Sequence, residues 1–131
     1  MRHLQVAVGI IRNAQKQIFL AQRSAESHMA LMWEFPGGKI EADESAEAAL
    51  KRELYEETGI TVLKATAFGE ETHTYADLSV TLHFFLVESW QDDPYGREGQ
   101  PVRWVEQTQL DASQFPPANA PIVARLLKET D

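Results

Sequence analysis

The chain has 131 residues, 44% hydrophobic and 24% charged, with a formal charge of −8 and no cysteine. This length and balance suit one soluble domain, residues 1–131, with a core of ordinary size. Disulfides and thiolate metal sites are excluded, and an acidic surface repels nucleic-acid polymers; a phosphorylated small molecule fits only if divalent cations neutralise its site.

No apolar run approaches the roughly 20 residues of a membrane span. MRHLQVAVGI lacks the apolar region of a secretion signal, so a cytoplasmic location is expected. There is no basic patch or heptad pattern to suggest a partner, and a monomer is expected. In chain order, Val6, Val8 and Ile10 alternate with Ala7, Gly9 and Ile11, as in a strand buried on both faces. Arg12–Gln17 reads as a hairpin turn and Ile18–Ala21 as the returning strand. Ser24–Met29, with His28 in it, reads as a loop. Trp33–Phe35 is a short apolar piece stopped by Pro36-Gly37-Gly38. Ser45–Thr58 is rich in Ala, Leu, Glu and Lys and predicts a helix, with Gly59 as its left-handed C-cap. Val62–Phe68 and Val80–Glu88 are β-rich runs around a polar stretch; Gln91–Gln100 is a loop and Pro101–Val105 a strand. A last helix starts near Pro121 and presents Ile122, Val123, Leu126 and Leu127 inward. Strands with one central and one terminal helix predict an α/β (α+β) chain, a mixed sheet covered on its faces.

The central helix carries Glu53, Glu56 and Glu57 at i, i+3 and i+4, a spacing at which like charges repel by roughly 0.2–0.5 kcal/mol per pair. On a wheel of ~100° per residue the three fall within an arc of about 100°. Ala46, Ala49 and Leu50 share that arc, with Leu54 at its edge; Glu44, Lys51, Tyr55 and Thr58 lie opposite. Acids on the inward face are costly unless something neutralises them. Two explanations stay open on this pattern alone. One is Mg²⁺ or Mn²⁺, which take hard oxygen ligands. The other is a structural ion-pair network with Arg52, Lys51 or Arg103.

The helix is part of GKIEADESAEAALKRELYEETGI, residues 38–60. Gly38, Glu44, Arg52, Glu53, Leu54, Glu56, Glu57, Gly59 and Ile60 stand at the nine spaced positions of the Nudix box, and the chain resembles that family. The resemblance implies an α/β/α sandwich around a mixed sheet, and Mg²⁺- or Mn²⁺-dependent hydrolysis of a nucleoside diphosphate derivative. It implies Glu53, Glu56, Glu57 and the Gly37 carbonyl as metal ligands, with Glu98 of the YGREGQ loop as a further ligand. Glu53 or Glu98 is the base. Arg52 is an orienting ion-pair partner, and Lys39 a phosphate contact or an exposed turn lysine. Glu44, on the other side of the wheel, is expected to be structural or to support a ligand residue from behind. Gly37 and Gly38 are expected to turn the backbone tightly.

LQVAVGIIRN, HMA at 28–30, EFPGGKIE at 34–41, TLHFFLVE, GREGQP and FPPAN resemble the branch of the family that hydrolyses 8-oxo-dGTP. That branch yields 8-oxo-dGMP and pyrophosphate by water attack at the β-phosphorus. The implied substrate contacts are Arg23, Glu34, Phe35, Gly38 and Asn119, on 8-oxo-dGTP or 8-oxo-GTP. Glu70–Ser79 departs from the pattern, so no contact is assigned there. Oxidation at C8 of guanine places a hydrogen on N7, beside the O6 acceptor. An asparagine amide offers one acceptor and one donor group and matches that edge. The plain alternative for Asn119 is a helix cap; for Phe35 it is the core, for Arg23 a surface charge, for Glu98 a solvated acid. A Nudix hydrolase of another nucleotide derivative and a non-catalytic nucleotide-binding module are the rival functions.

Overall fold

The computed structural model describes residues 2–26 and 29–129, so His28 lies outside the described residues. Strand β1 (Arg2–Ile11) shows the expected two-faced burial. Val8 and Ile10 join Ile18, Leu20, Phe84, Ile122, Val123 and Leu126 on one side; Ala7 and Ile11 join Ala49, Leu50, Leu54 and Ile60 on the other. The second strand, β2 (Gln17–Gln22), is followed by β3 (Trp33–Glu34), β4 (Gly37–Lys39), helix α1 (Ala46–Thr58), β5 (Thr61–Thr74), β6 (Leu78–Gln91), β7 (Val102–Glu106) and helix α2 (Ala120–Lys128). One sheet has the order β4-β1-β6-β5 and a smaller one β3-β2-β7. β1 and β6 are parallel and every other pair is antiparallel. The larger sheet is therefore mixed. α1 packs into one core cluster and α2 into the other, as the α/β/α reading expects.

Four local expectations are corrected. Residues 12–17 do turn, but the backbone pairing that follows stops at an Arg12–Ile18 bridge, and β2 pairs with β7 instead. One edge of β1 is filled by β6 over its whole length and β4 takes residues 6–8 of the other, which leaves β2 little to pair with. The Pro36-Gly37-Gly38 piece is not a tight turn. Gly37 and Gly38 form β4, opposite Val8 and Ala7, and neither has a positive φ. What requires glycine is proximity: a Cβ on Gly37 would strike the Ala7 carbonyl, and one on Gly38 the Glu53 carboxyl. On α1, Thr58 is fully buried rather than outward, where the loop at Tyr95 packs on the helix end; its hydroxyl is satisfied by the Leu54 carbonyl at 2.6 Å. On α2, Leu127 is 37% exposed, while Ile122, Val123 and Leu126 are buried as expected.

The ends of α1 follow its sequence. The Ser45 hydroxyl accepts the Ala48 N–H at 3.1 Å, and Gly59 takes φ 78° and donates to the Tyr55 carbonyl. β5 and β6 run past the expected limits into one long hairpin that includes 70–79 and closes through Tyr75 N–H to the Leu78 carbonyl at 2.7 Å. Its polar residues pair across the strands, Thr72 with Thr81 at 3.0 Å. Among the described residues no helix is long and apolar enough to cross a membrane.

Gly37→Ala forces β4 away from β1 and is expected to cost about 1–3 kcal/mol, as overpacking does. Urea unfolding measures this; an unchanged midpoint would mean that the strand yields freely.

Candidate active site

Arg52 organises the outer part of the α1 carboxylates. Its Nε and Nη2 donate to the two Glu44 oxygens at 2.8 and 2.9 Å, and Nη2 also to the Lys39 carbonyl at 3.0 Å. Nη1 donates to Glu53 at 3.1 Å and lies 3.6 Å from Glu56. The Arg52 bonds, then the Glu41 N–H, hold Glu44 down at about 2. Glu44 is thus the anchor of the clamp, consistent with the structural part expected of it. Lys51 pairs with Glu47 at 3.4 Å and Arg103 lies 4.0 Å over the Trp33 ring, so neither serves the cluster.

The three acids are not equally buried. The Glu56 side chain is 49% exposed and the Glu53 side chain 17%. Glu57 turns inward, where its Oε2 accepts the Gly37 N–H at 3.0 Å. Burial, then the charges of Glu34, Glu53 and Glu98, pushes Glu57 up to about 8. Burial also raises Glu53 against the pull of Arg52, and Glu34 against that of Arg23. These carboxylates, from β3, α1 and the loop after β6, sense one another's charge. They do not form a closed cage: among the described residues no three acids or histidines converge on one point. Glu53 faces Arg52 and Glu57 faces Gly37. An all-oxygen set with a buried acid under repulsion fits a hard divalent cation.

Glu98 is exposed, and its charge acts on Glu53 and Glu57 because its loop docks on the C-terminal end of α1. Tyr95 N–H donates to the Thr58 carbonyl at 3.1 Å, Arg97 N–H to Glu57 at 3.1 Å, and Arg97 Nη1 to the Glu56 carbonyl at 3.2 Å. Helix ends leave such carbonyls unpaired, and here a distant loop satisfies them. The sequence predicts 91–100 as a loop, and the resemblance implies Glu98 in it as a ligand; no local pattern marks a cap supplied from another part of the chain.

Beside the carboxylates a cleft of about 530 Å³ opens between β1, β6 and the 116–119 segment. Its apolar floor is Leu4, Val6 and Val8 with Leu78, Val80 and Leu82, and Glu34 and Gly37 form the wall toward α1. Arg23 lines it too, bonded to Glu34 at 2.7 Å. Phe35 lines the cleft and belongs to the core, stacking on Phe115 at 5.1 Å and edge-on to Phe84 at 6.2 Å. Asn119 sits at the N-cap position of α2 but makes no cap bond with its side chain, so the capping alternative is set aside. Its Nδ2 donates to the Pro116 carbonyl at 3.3 Å and it is 6% exposed at the cleft. Gly38 and Lys39 do not line the cleft: Gly38 lies against Glu53, and Lys39 is exposed, offering its carbonyl to Arg52. Tyr75 and Asp77, at the hairpin tip, line the cleft although nothing was assigned there. The alternation Leu78, Val80, Leu82 was the available signal, matching Leu4, Val6 and Val8.

The family model for the NUDIX domain matches residues 7–125. The chain belongs to the Nudix family. It is 49% identical to the 8-oxo-dGTP diphosphatase of Escherichia coli K12, across 96% of this chain and 98% of that one. It is 51% identical to the 8-oxo-dGTP diphosphatase of Haemophilus influenzae, across 97% and 93%. A solved structure from a study of MutT from Aliivibrio salmonicida and Vibrio cholerae superposes with a TM-score of 0.81 at 40% identity, covering 96% of this chain and 97% of that one. In this Nudix fold the box begins inside β4, crosses α1 and ends at Ile60, just before β5.

Since folding raises Glu57 from 4.5 to about 8, the protein without divalent cations loses stability as pH climbs through that window. Glu57→Gln is expected to flatten the slope and to be the more stable protein at pH 8 in EDTA. Unfolding free energies from urea titrations at pH 5 and 8 check this; the same loss between the two pH values in both proteins would contradict it.

Proposed function

We propose that this chain hydrolyses 8-oxo-dGTP to 8-oxo-dGMP and pyrophosphate and so clears the oxidised nucleotide from the pool. The observation that carries the reading is Asn119: a buried amide at an apolar cleft, not used as a helix cap, with a carbonyl and an N–H to offer. The two relatives near 50% identity, both 8-oxo-dGTP diphosphatases, support the same substrate. On the oxidised base the Asn119 amide pairs with O6 and N7–H; on ordinary guanine its carbonyl faces the N7 lone pair. A buried site made for such a pair rejects the base that leaves it unpaired. Phe35 and the β1–β6 floor take the base, with Arg23 and Glu34 beside them.

The triphosphate then extends past Gly37 toward α1. Glu53, Glu56, Glu57, Glu98 and the Gly37 carbonyl would hold Mg²⁺ or Mn²⁺. Bound there, the cation neutralises charge on the phosphates. Arg52, fixed by Glu44, orients Glu53. The proton of the attacking water passes to a carboxylate of the cluster, Glu53 or Glu98. The water oxygen bonds to the β-phosphorus as the bond to the α–β bridging oxygen breaks, which leaves the monophosphate and pyrophosphate. Lys39, the second residue of the box and exposed outside the cleft, is the phosphate contact of this reading. In this reading the chain works as one domain, as a monomer, in the cytoplasm.

Hydrolysis of 8-oxo-dGTP and dGTP side by side, with products identified, tests the assignment; equal kcat/KM for the two would end it. Glu53→Gln is expected to lower kcat by about 10²–10⁴-fold while the protein stays folded by circular dichroism. Asn119→Ala is expected to erode the preference for the oxidised base about tenfold or more, with divalent-cation affinity unchanged; retained selectivity would remove Asn119 from recognition.

A further inference from the structure

Gln100 closes the loop after β6, and nothing in the proposed chemistry uses it. Its side chain nevertheless joins two residues of the cluster. Nε2 donates to the backbone carbonyl of Glu57 at 2.9 Å, and Oε1 accepts the backbone N–H of Glu98 at 2.9 Å. A primary amide is suited to this because it is donor and acceptor at once. The short turn that carries Glu98 is drawn tight from Gly96 to Gln100. Gly99 N–H donates to the Gly96 carbonyl at 2.9 Å, and a Cβ on Gly96 would strike the Gln100 carbonyl. Tyr95 and Arg97 tie the incoming limb of the loop to α1, whereas Gln100 ties Glu98 itself.

We propose that Gln100 is a positioning residue: its amide bridges the Glu57 carbonyl and the Glu98 N–H and holds the Glu98 carboxylate toward Glu53 and Glu57. This rests on the part in hydrolysis proposed for Glu98. The same α1 residue then supplies a carboxylate to the cluster and, through its carbonyl, the reference point for the carboxylate arriving from the loop. If Gln100 served only to cap α1, its loss would weaken the helix end and leave Glu98 no more displaced than its neighbours.

Gln100→Ala, and Gln100→Met, which keeps the length without the amide, separate these alternatives, each alone and combined with Glu98→Gln. The expected result is a fall in kcat of about 10- to 100-fold with KM little changed. The Glu98 N–H is expected to exchange with solvent about tenfold faster, with the melting temperature nearly constant. In the Glu98→Gln background the same changes should cost little further rate, since both act through one carboxylate. Fully additive losses, unaltered Glu98 exchange, or a rate loss that follows the melting temperature would overturn the proposal and leave Gln100 a cap. Should Gln100→Ala fail to fold, the Met variant decides by the same criteria. A wild-type rate for Glu98→Gln alone would bring down the reading of Glu98, and the proposal with it, whatever the exchange shows.

Discussion

The Gly37 N–H to Glu57 bond, 3.0 Å long, is the contact on which the rest of the site depends. It joins β4 to α1 at the point where β4 also pairs with β1. Three elements of two layers meet there, and glycine at 37 and 38 puts no side chain of β4 between them. A carboxylate is brought to the backbone and kept from water, and the cleft wall and the acid cluster share a residue. Without this close approach, α1 would have to stand off by the width of a side chain, and the glutamates would reach into solvent.

Charge is graded outward from that point. Glu57 is buried and held high, Glu53 is half paired with Arg52, and Glu56 is half exposed. Arg52 is fixed by Glu44 before it meets Glu53, so the clamp keeps its position whatever the protonation of the cluster. The repulsion that makes three glutamates unusual on a helix face is thereby concentrated on one of them. This unfavourable arrangement in the free protein favours a ligand that brings positive charge.

The cleft is shaped by the parallel pairing of β1 with β6, which aligns Leu4 with Val80 and Val6 with Leu82. That register makes a flat apolar floor. The hairpin tip at Tyr75–Asp77 and the 116–119 segment stand at its sides, and Asn119 is the buried polar group among them. In the function proposed above, recognition of a base and handling of a phosphate chain fall to these adjoining but chemically distinct surfaces.

Sequence alone determined the features that depend on local spacing. The helix with its Ser45 and Gly59 caps, the two-faced burial of β1, the acid triplet and the Nudix box are all patterns within a few turns of chain. It misjudged Gly37 and Gly38, because glycine signals a turn or a close approach equally well and only the neighbouring element distinguishes them. It misplaced Thr58 and Leu127, since burial at the margin of a helix depends on what lies across from it. The partner of β2, the docking of 95–100 on α1, the lining of the cleft by 75–78 and the release of Asn119 from capping were decided by tertiary structure. The first three are contacts between segments distant along the chain, set by which edges and carbonyls remain unpaired once the sheet has formed, whereas Asn119 is held by the Pro116 carbonyl three residues before it.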